Sequence, residues 1–166
     1  MTRVGVIADT HIPVVCKKMP YEIRDYFKNV NLILHAGDLV NLSVLEELEK
    51  IAPVKAVYGN MDKGRIREIL PEKQIIKIDN FNIALIHNLG SVSQRFKNLR
   101  REFPRSKIDV AVFGHSHLPV NEFKNGILFL NPGSPTDEVY APYKSVGLLS
   151  LSDKIEAQII KLKRND

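Results

Sequence analysis

Four of the five histidines in this 166-residue chain stand in short polar motifs rich in other donor groups. The motifs are Asp9-Thr10-His11, Gly37-Asp38, Gly59-Asn60, His87-Asn88 and Gly114-His115-Ser116-His117. Imidazole, carboxylate and amide oxygen together make a nitrogen and oxygen ligand set. Such a set suits Mn²⁺, Fe, Co, Ni or Zn²⁺ rather than a soft cation held by thiolates. Asp-x-His and His-x-His each place two donors one residue apart, so two ligands come from one stretch of nearly fixed backbone. Glycines at 37, 59 and 114 permit the tight turns that bring main chain and side chain close to an ion. Packing alone does not account for so many histidines in such places.

Each motif follows a short apolar run rich in Val and Ile, which reads as a buried strand. Val4–Ala8 leads to Asp9 and His11, Leu32–His35 to Asp38, and Val54–Tyr58 to Asn60; Ile83–His87 ends on His87, and Asp109–Phe113 leads to His115 and His117. Loops at the carboxyl ends of parallel strands converge on one crevice, so these residues are expected to meet in space. Helical spacing of Leu42, Leu45, Leu48 and Ala52, and of Val92, Phe96, Leu99 and Phe103, predicts amphipathic helices between strands. The last third reads as an antiparallel meander over 120–123, 126–130, 145–151 and 155–162. Two packed sheets flanked by helices, in one domain spanning 1–166, are the expected architecture.

Composition narrows the field. Apolar residues make up 44% and charged residues 26%, which excludes a disordered chain. No apolar run reaches the ~20 residues of a membrane-spanning helix, and no signal peptide precedes Asp9, so a cytoplasmic location is expected. Cys16 is the only cysteine and reads as a free thiol without a fixed base beside it. The net charge of +5 suits an anionic substrate but decides nothing alone.

The ordered blocks Asp9-x-His11, Gly37-Asp38, Gly59-Asn60, His87 and Gly114-His115-x-His117 resemble the calcineurin-like metallophosphoesterase signature. With the Asn131-Pro132-Gly133-Ser134 turn and the short length, the chain is most similar to the small single-domain phosphodiesterase branch. The resemblance implies an α/β fold, a four-layer α-β-β-α sandwich of two mixed sheets flanked by helices. It implies two divalent transition-metal ions, manganese first. Asp9, His11 and His117 would hold one ion, Asn60, His87 and His115 the other, with Asp38 bridging. It also implies a small phosphate-ester substrate, with nucleic acid not favoured, and a homodimer.

Two such metals would clamp an in-line displacement at phosphorus, with a bridging hydroxide as nucleophile. The ions, two carboxylates and one hydroxide leave a single positive charge, which matches a phosphodiester monoanion. Asp38, Asn60 and Asp62 are the expected catalytic residues, although Asp62 could equally cap a helix over 64–70. Many relatives carry a His after the Asn of the third motif; here Met61 stands there and cannot donate a proton. Activated diesters are therefore expected to react ahead of alkyl monoesters. Asn88 after His87, where relatives often have Gly, leaves the ligand intact but alters its loop. His35 reads as a core or supporting residue, Asn131–Ser134 as a turn buttressing the site, and the basic segment 95–107 as a solvated face. The alternatives are a phosphomonoesterase, a nuclease, or a scaffold of the same fold that has lost its chemistry. Every expected ligand position holds a competent side chain, which favours the enzyme.

Overall fold

The computed structural model describes residues 1–163. Its first half runs β1 (Thr2–Ile7), α1 (Glu22–Phe27), β2 (Leu32–His35), α2 (Ser43–Glu49), β3 (Val54–Ala56), α3 (Arg65–Ile69) and β4 (Lys73–Ile78). The second half runs β5 (Phe81–Ile86), α4 (Arg95–Glu102), β6 (Val110–Val112), β7 (Val120–Lys124), β8 (Ile127–Asn131), β9 (Ser145–Leu151) and β10 (Ile155–Lys161). One sheet has the order β10-β9-β1-β2-β3 and the other β4-β5-β6-β8-β7.

Alternation along the strands builds four layers from these two sheets. Val4, Val6 and Ala8 point inward with Leu34, Leu85, Val110, Val112, Leu128 and Leu149, forming the core between the sheets. The opposite face of the first sheet presents Ile7 and Ile33 to Ile23 and Phe27 of α1, Val44 and Leu48 of α2, and Ile66 of α3. The opposite face of the second presents Ala84, Ala111, Phe113 and Phe129 to Phe96 and Leu99 of α4 and to Phe103. The result is the expected α-β-β-α sandwich.

Details depart from the sequence reading. The final strands do not form one meander. β7 and β8 pair as a hairpin in the second sheet, where β8 also runs parallel to β6. β9 and β10 complete the first sheet, with β9 antiparallel to β1. The edge strand β4 was not anticipated, because its side chains alternate between exposed and half-buried and none is fully buried. β3 is only three residues long: the Tyr58 amide turns away to Pro71 O, leaving the ladder. α4 begins at Arg95, three residues later than Val92.

β1, β2 and β3 run parallel, so their carboxyl ends share one edge of the first sheet. β5 and β6 do the same in the second. The two edges are tied across the sandwich, since His87 Nδ1 donates to Ala36 O at 2.7 Å and the His115 amide to Asp9 Oδ2 at 2.9 Å.

Candidate metal centre

Asp9, His11, Asp38, His115 and His117 all adopt left-handed backbone, with φ of 54°, 44°, 59°, 70° and 57°. That conformation is costly for a residue with a Cβ and gathers at functional sites. Here it turns the chain sharply as it leaves each strand, and main-chain bonds hold the turns. The Asp9 amide donates to Gly37 O and the His11 amide to Asp38 O, each at 3.0 Å. Gly59 and Gly114 make room, because a Cβ on Gly59 would collide with the Asp38 carboxylate and one on Gly114 would lie 2.6 Å from Asp9 Oδ2.

The seven expected ligands are brought together. Asp9 Oδ1 lies 3.7 Å from His11 Nε2 and 3.5 Å from His117 Nε2. Asn60 Oδ1 lies 3.0 Å from both His87 Nε2 and His115 Nδ1. Asp38 Oδ2 reaches into both halves, at 3.6 Å from His11 Nε2 and 3.3 Å from His87 Nε2. Two three-residue groups offer donor atoms all within 4.8 Å of one another: Asp9, His11 and His117, and Asp9, Asp38 and His87.

The chemistry of these atoms fits a cation. Ala36 O can only accept, so the His87 proton sits on Nδ1 and its Nε2 turns a lone pair toward Asn60 and Asp38. His117 Nδ1 likewise donates to Asp137 Oδ2, which aims Nε2 at Asp9. With the imidazoles neutral, as a bound cation requires, acceptors face acceptors. Asp9 Oδ1 and His11 Nε2 are sealed from solvent with no hydrogen-bond partner at all, an expensive arrangement unless a cation lies between them. Every donor is nitrogen or oxygen, a set that suits divalent ions of the Mn-to-Zn series.

The electrostatics of the protein alone follow. Burial pushes Asp9 upward, but the His11 and His117 imidazoles, 3.7 and 3.5 Å from its carboxylate, overcome it and hold the carboxyl at about 2. Burial likewise opposes ionisation of Asp38, yet the His87 bond keeps it below the usual range. His117 is pushed up to about 9, first by Asp9 and also, against burial, by Asp137. His87 is raised despite burial, because Asp38 and Asp9 favour its charged form. His115 is lowered by burial and by the neighbouring His87.

The surrounding residues act as struts. Asp62 is fully buried; its Oδ2 accepts from the Asp38 and Gly59 amides at 2.8 Å each, and its Oδ1 from the Val40 amide at 2.7 Å. It therefore neither presents a free oxygen to a substrate nor caps α3, whose N-cap is Gly64 with no side-chain bond. Its place is that of a clamp between the loops after β2 and β3. His35 is fully buried and accepts from the Gly37 amide, so its Nε2–H donates to Thr10 Oγ1. Burial lowers it to about 3, and it stays neutral. Asn131 Nδ2 holds Gly114 O and Ser116 Oγ, and Ser134 Oγ donates to Asp9 O, so this turn buttresses the loops. Cys16 Sγ donates to Lys18 O and touches none of the donors.

Two residues escaped the sequence reading. Asp137 orients His117, is buried and lies in no motif; the only hint was an acid close behind the 131–134 turn. Arg67 donates from Nε to Asp62 O at 2.6 Å and stacks over the Tyr58 ring, lining a cleft of about 280 Å³ that Asn60 and His87 also line. The basic segment is not solvated throughout, since Arg95 is buried against the Phe113 ring.

Residues 2–154 match the calcineurin-like phosphoesterase superfamily domain, and the chain belongs to that family. It is 40% identical over 164 residues to a probable metallophosphoesterase of Methanocaldococcus jannaschii, covering 96% of this chain and 81% of that protein. Among solved structures it is similar to one described as a novel archaeal phosphodiesterase, with a TM-score of 0.75, 26% identity and coverage of 97% and 100%. The vacuolar protein sorting 29 of Cryptosporidium parvum shares the fold, with a TM-score of 0.77 at 24% identity and 98% coverage of both chains.

Proposed function

We propose that this metallophosphoesterase hydrolyses phosphodiesters with two divalent ions, manganese first among them. Asp9, His11 and His117 would hold one ion and Asn60, His87 and His115 the other, with Asp38 placed to serve both. When bound, such a pair supplies Lewis-acid charge to a phosphoryl group and brings water ionisation down to near pH ~7. The sealed, unpartnered Asp9 Oδ1 and His11 Nε2 are the observation that carries this reading.

The chain's own residues do the positioning. Asp137 and Ala36 O fix the tautomers of His117 and His87, so their Nε2 lone pairs point inward without rearrangement. Asp62 locks the loops bearing Asp38 and Asn60 into one register, a positioning task rather than contact with substrate. The Met61 amide donates to Asp38 Oδ1 at 2.8 Å, while its half-exposed thioether has no proton for a leaving group. Esters of acidic alcohols are therefore preferred, aryl diesters ahead of alkyl monoesters. The similarity to an archaeal phosphodiesterase supports the same choice.

Turnover of an aryl phosphodiester by the purified chain, with and without Mn²⁺, tests the proposal beside Asp38→Asn. Metal-dependent hydrolysis that falls at least ~10²-fold in the variant is expected. Equal rates for the two proteins would leave a scaffold as the better reading.

A further inference from the structure

A cavity of about 810 Å³ is walled by Asp137, Glu138, Tyr143, Lys144, Lys161 and Lys163, and none of the seven proposed ligands lines it. Its volume lies in the range that encloses a small ligand. Its charges do not cancel locally. Both Asp137 oxygens are committed, to His117 Nδ1 and to the amides of Val139, Tyr140 and Ala141. Lys144 is buried, with its ammonium 2.8 Å from Glu138 Oε1. Lys161 Nζ rests 5.1 Å from the centre of the Tyr143 ring, and neither it nor Lys163 has an ion pair among the described residues. Two lysines without an ion pair among the described residues and a buried third thus line one concave space, where low-dielectric walls strengthen their field.

We propose that this cavity binds a phosphate-bearing small molecule, with Lys161 and Lys163 as its principal contacts and Lys144 behind them. With Lys144 already paired to Glu138, two ammonium groups remain, which call for more negative charge than one carboxylate brings, and lysine binds phosphate as a point charge. Drawing Lys161 toward an anion would also free the face of Tyr143 for a ring or sugar of the same ligand. The occupant would lie against Asp137 and Glu138, in the segment that orients His117. The inference goes beyond the hydrolase reading and stands or falls without it.

Calorimetric titration of the full chain with pyrophosphate, both metal-loaded and after chelation, provides the test. Binding is expected in both states, weakened at least tenfold by Lys161→Gln/Lys163→Gln and retained by Lys161→Arg/Lys163→Arg. Aryl diester turnover should stay within twofold in the glutamine variant. Binding that needs metal, or that the glutamine pair leaves unchanged, would overturn the inference while sparing the hydrolase reading. A short unphosphorylated oligonucleotide that displaces pyrophosphate at equal phosphate concentration would assign the lysines to nucleic acid, against a small-molecule site.

Discussion

The two halves of the donor cluster are built differently. Around Asp9, His11 and His117 a buried carboxylate is central, and another carboxylate, Asp137, backs the histidine. Around Asn60, His87 and His115 the central atom is a neutral amide oxygen, and a main-chain carbonyl backs the histidine. Charge at the donor and charge behind the imidazole both strengthen its hold on a cation. The first half should therefore bind its ion more tightly, and the second should exchange it. Loading would then proceed in two separable steps, the weaker beside the cleft that Arg67 lines.

Removal of Asp9 gives the largest test of that asymmetry. Asp9→Ala takes the only carboxylate common to both three-residue groups. The ion assigned to Asp9, His11 and His117 should be lost and turnover should fall on the order of 10³-fold or more, whereas Asn60→Ala should lose only the weaker ion. Metal stoichiometry by elemental analysis reads the losses, and equal falls in turnover would erase the difference between the halves.

Asp137→Asn comes next. Replacing the partner of a ligating histidine costs about 10–100-fold in metal affinity. The loss should fall on the tighter ion and leave the weaker one in place, which a two-site titration would read directly.

The pH dependence of the metal-free protein follows in size. His117 is raised to about 9 in the fold, so its contribution is complete below about 6.5 and disappears as pH rises through 9. Asp9 is depressed to about 2, so its contribution is present above about 4 and disappears as pH falls through 2. Unfolding free energies from denaturant titration should decline on both flanks, by on the order of 2 kcal/mol or less on the alkaline side, where His117 is partly solvated. Metal uptake should release a proton from His117 below pH 9, a release that Asp137→Asn reduces. The smallest effect is expected of Met61→His, which supplies the missing donor beside Asn60. It should raise turnover of an alkyl monoester at least tenfold with little change for an aryl diester, measured as kcat/KM.

Much of the cluster was legible because each proposed ligand follows an apolar run that must be a buried strand, and strand ends have a direction. The unread parts depend on contacts that sequence spacing does not encode. Asp62 could be read as a cap or a catalyst because two of its three amide partners, on Asp38 and Val40, lie in another turn of the chain. Asp137 carries no motif and acquires its meaning only where the chain returns to His117. The edge strand β4, Lys73–Ile78, lacked a fully buried face to announce it. The division of the last four strands between two sheets was hidden for a similar reason: hairpin turns reveal pairing but not which sheet the pair joins.

The left-handed turns at Asp9, His11, Asp38, His115 and His117 carry an evolutionary cost. At each of them glycine would relax the backbone, so selection for stability alone would erode the site from within. A lineage that no longer needed catalysis could shed these side chains and keep, or even harden, its architecture. Loss of chemistry in this sandwich would thus be downhill for folding, and these five strained positions are where such a loss would be expected to show first.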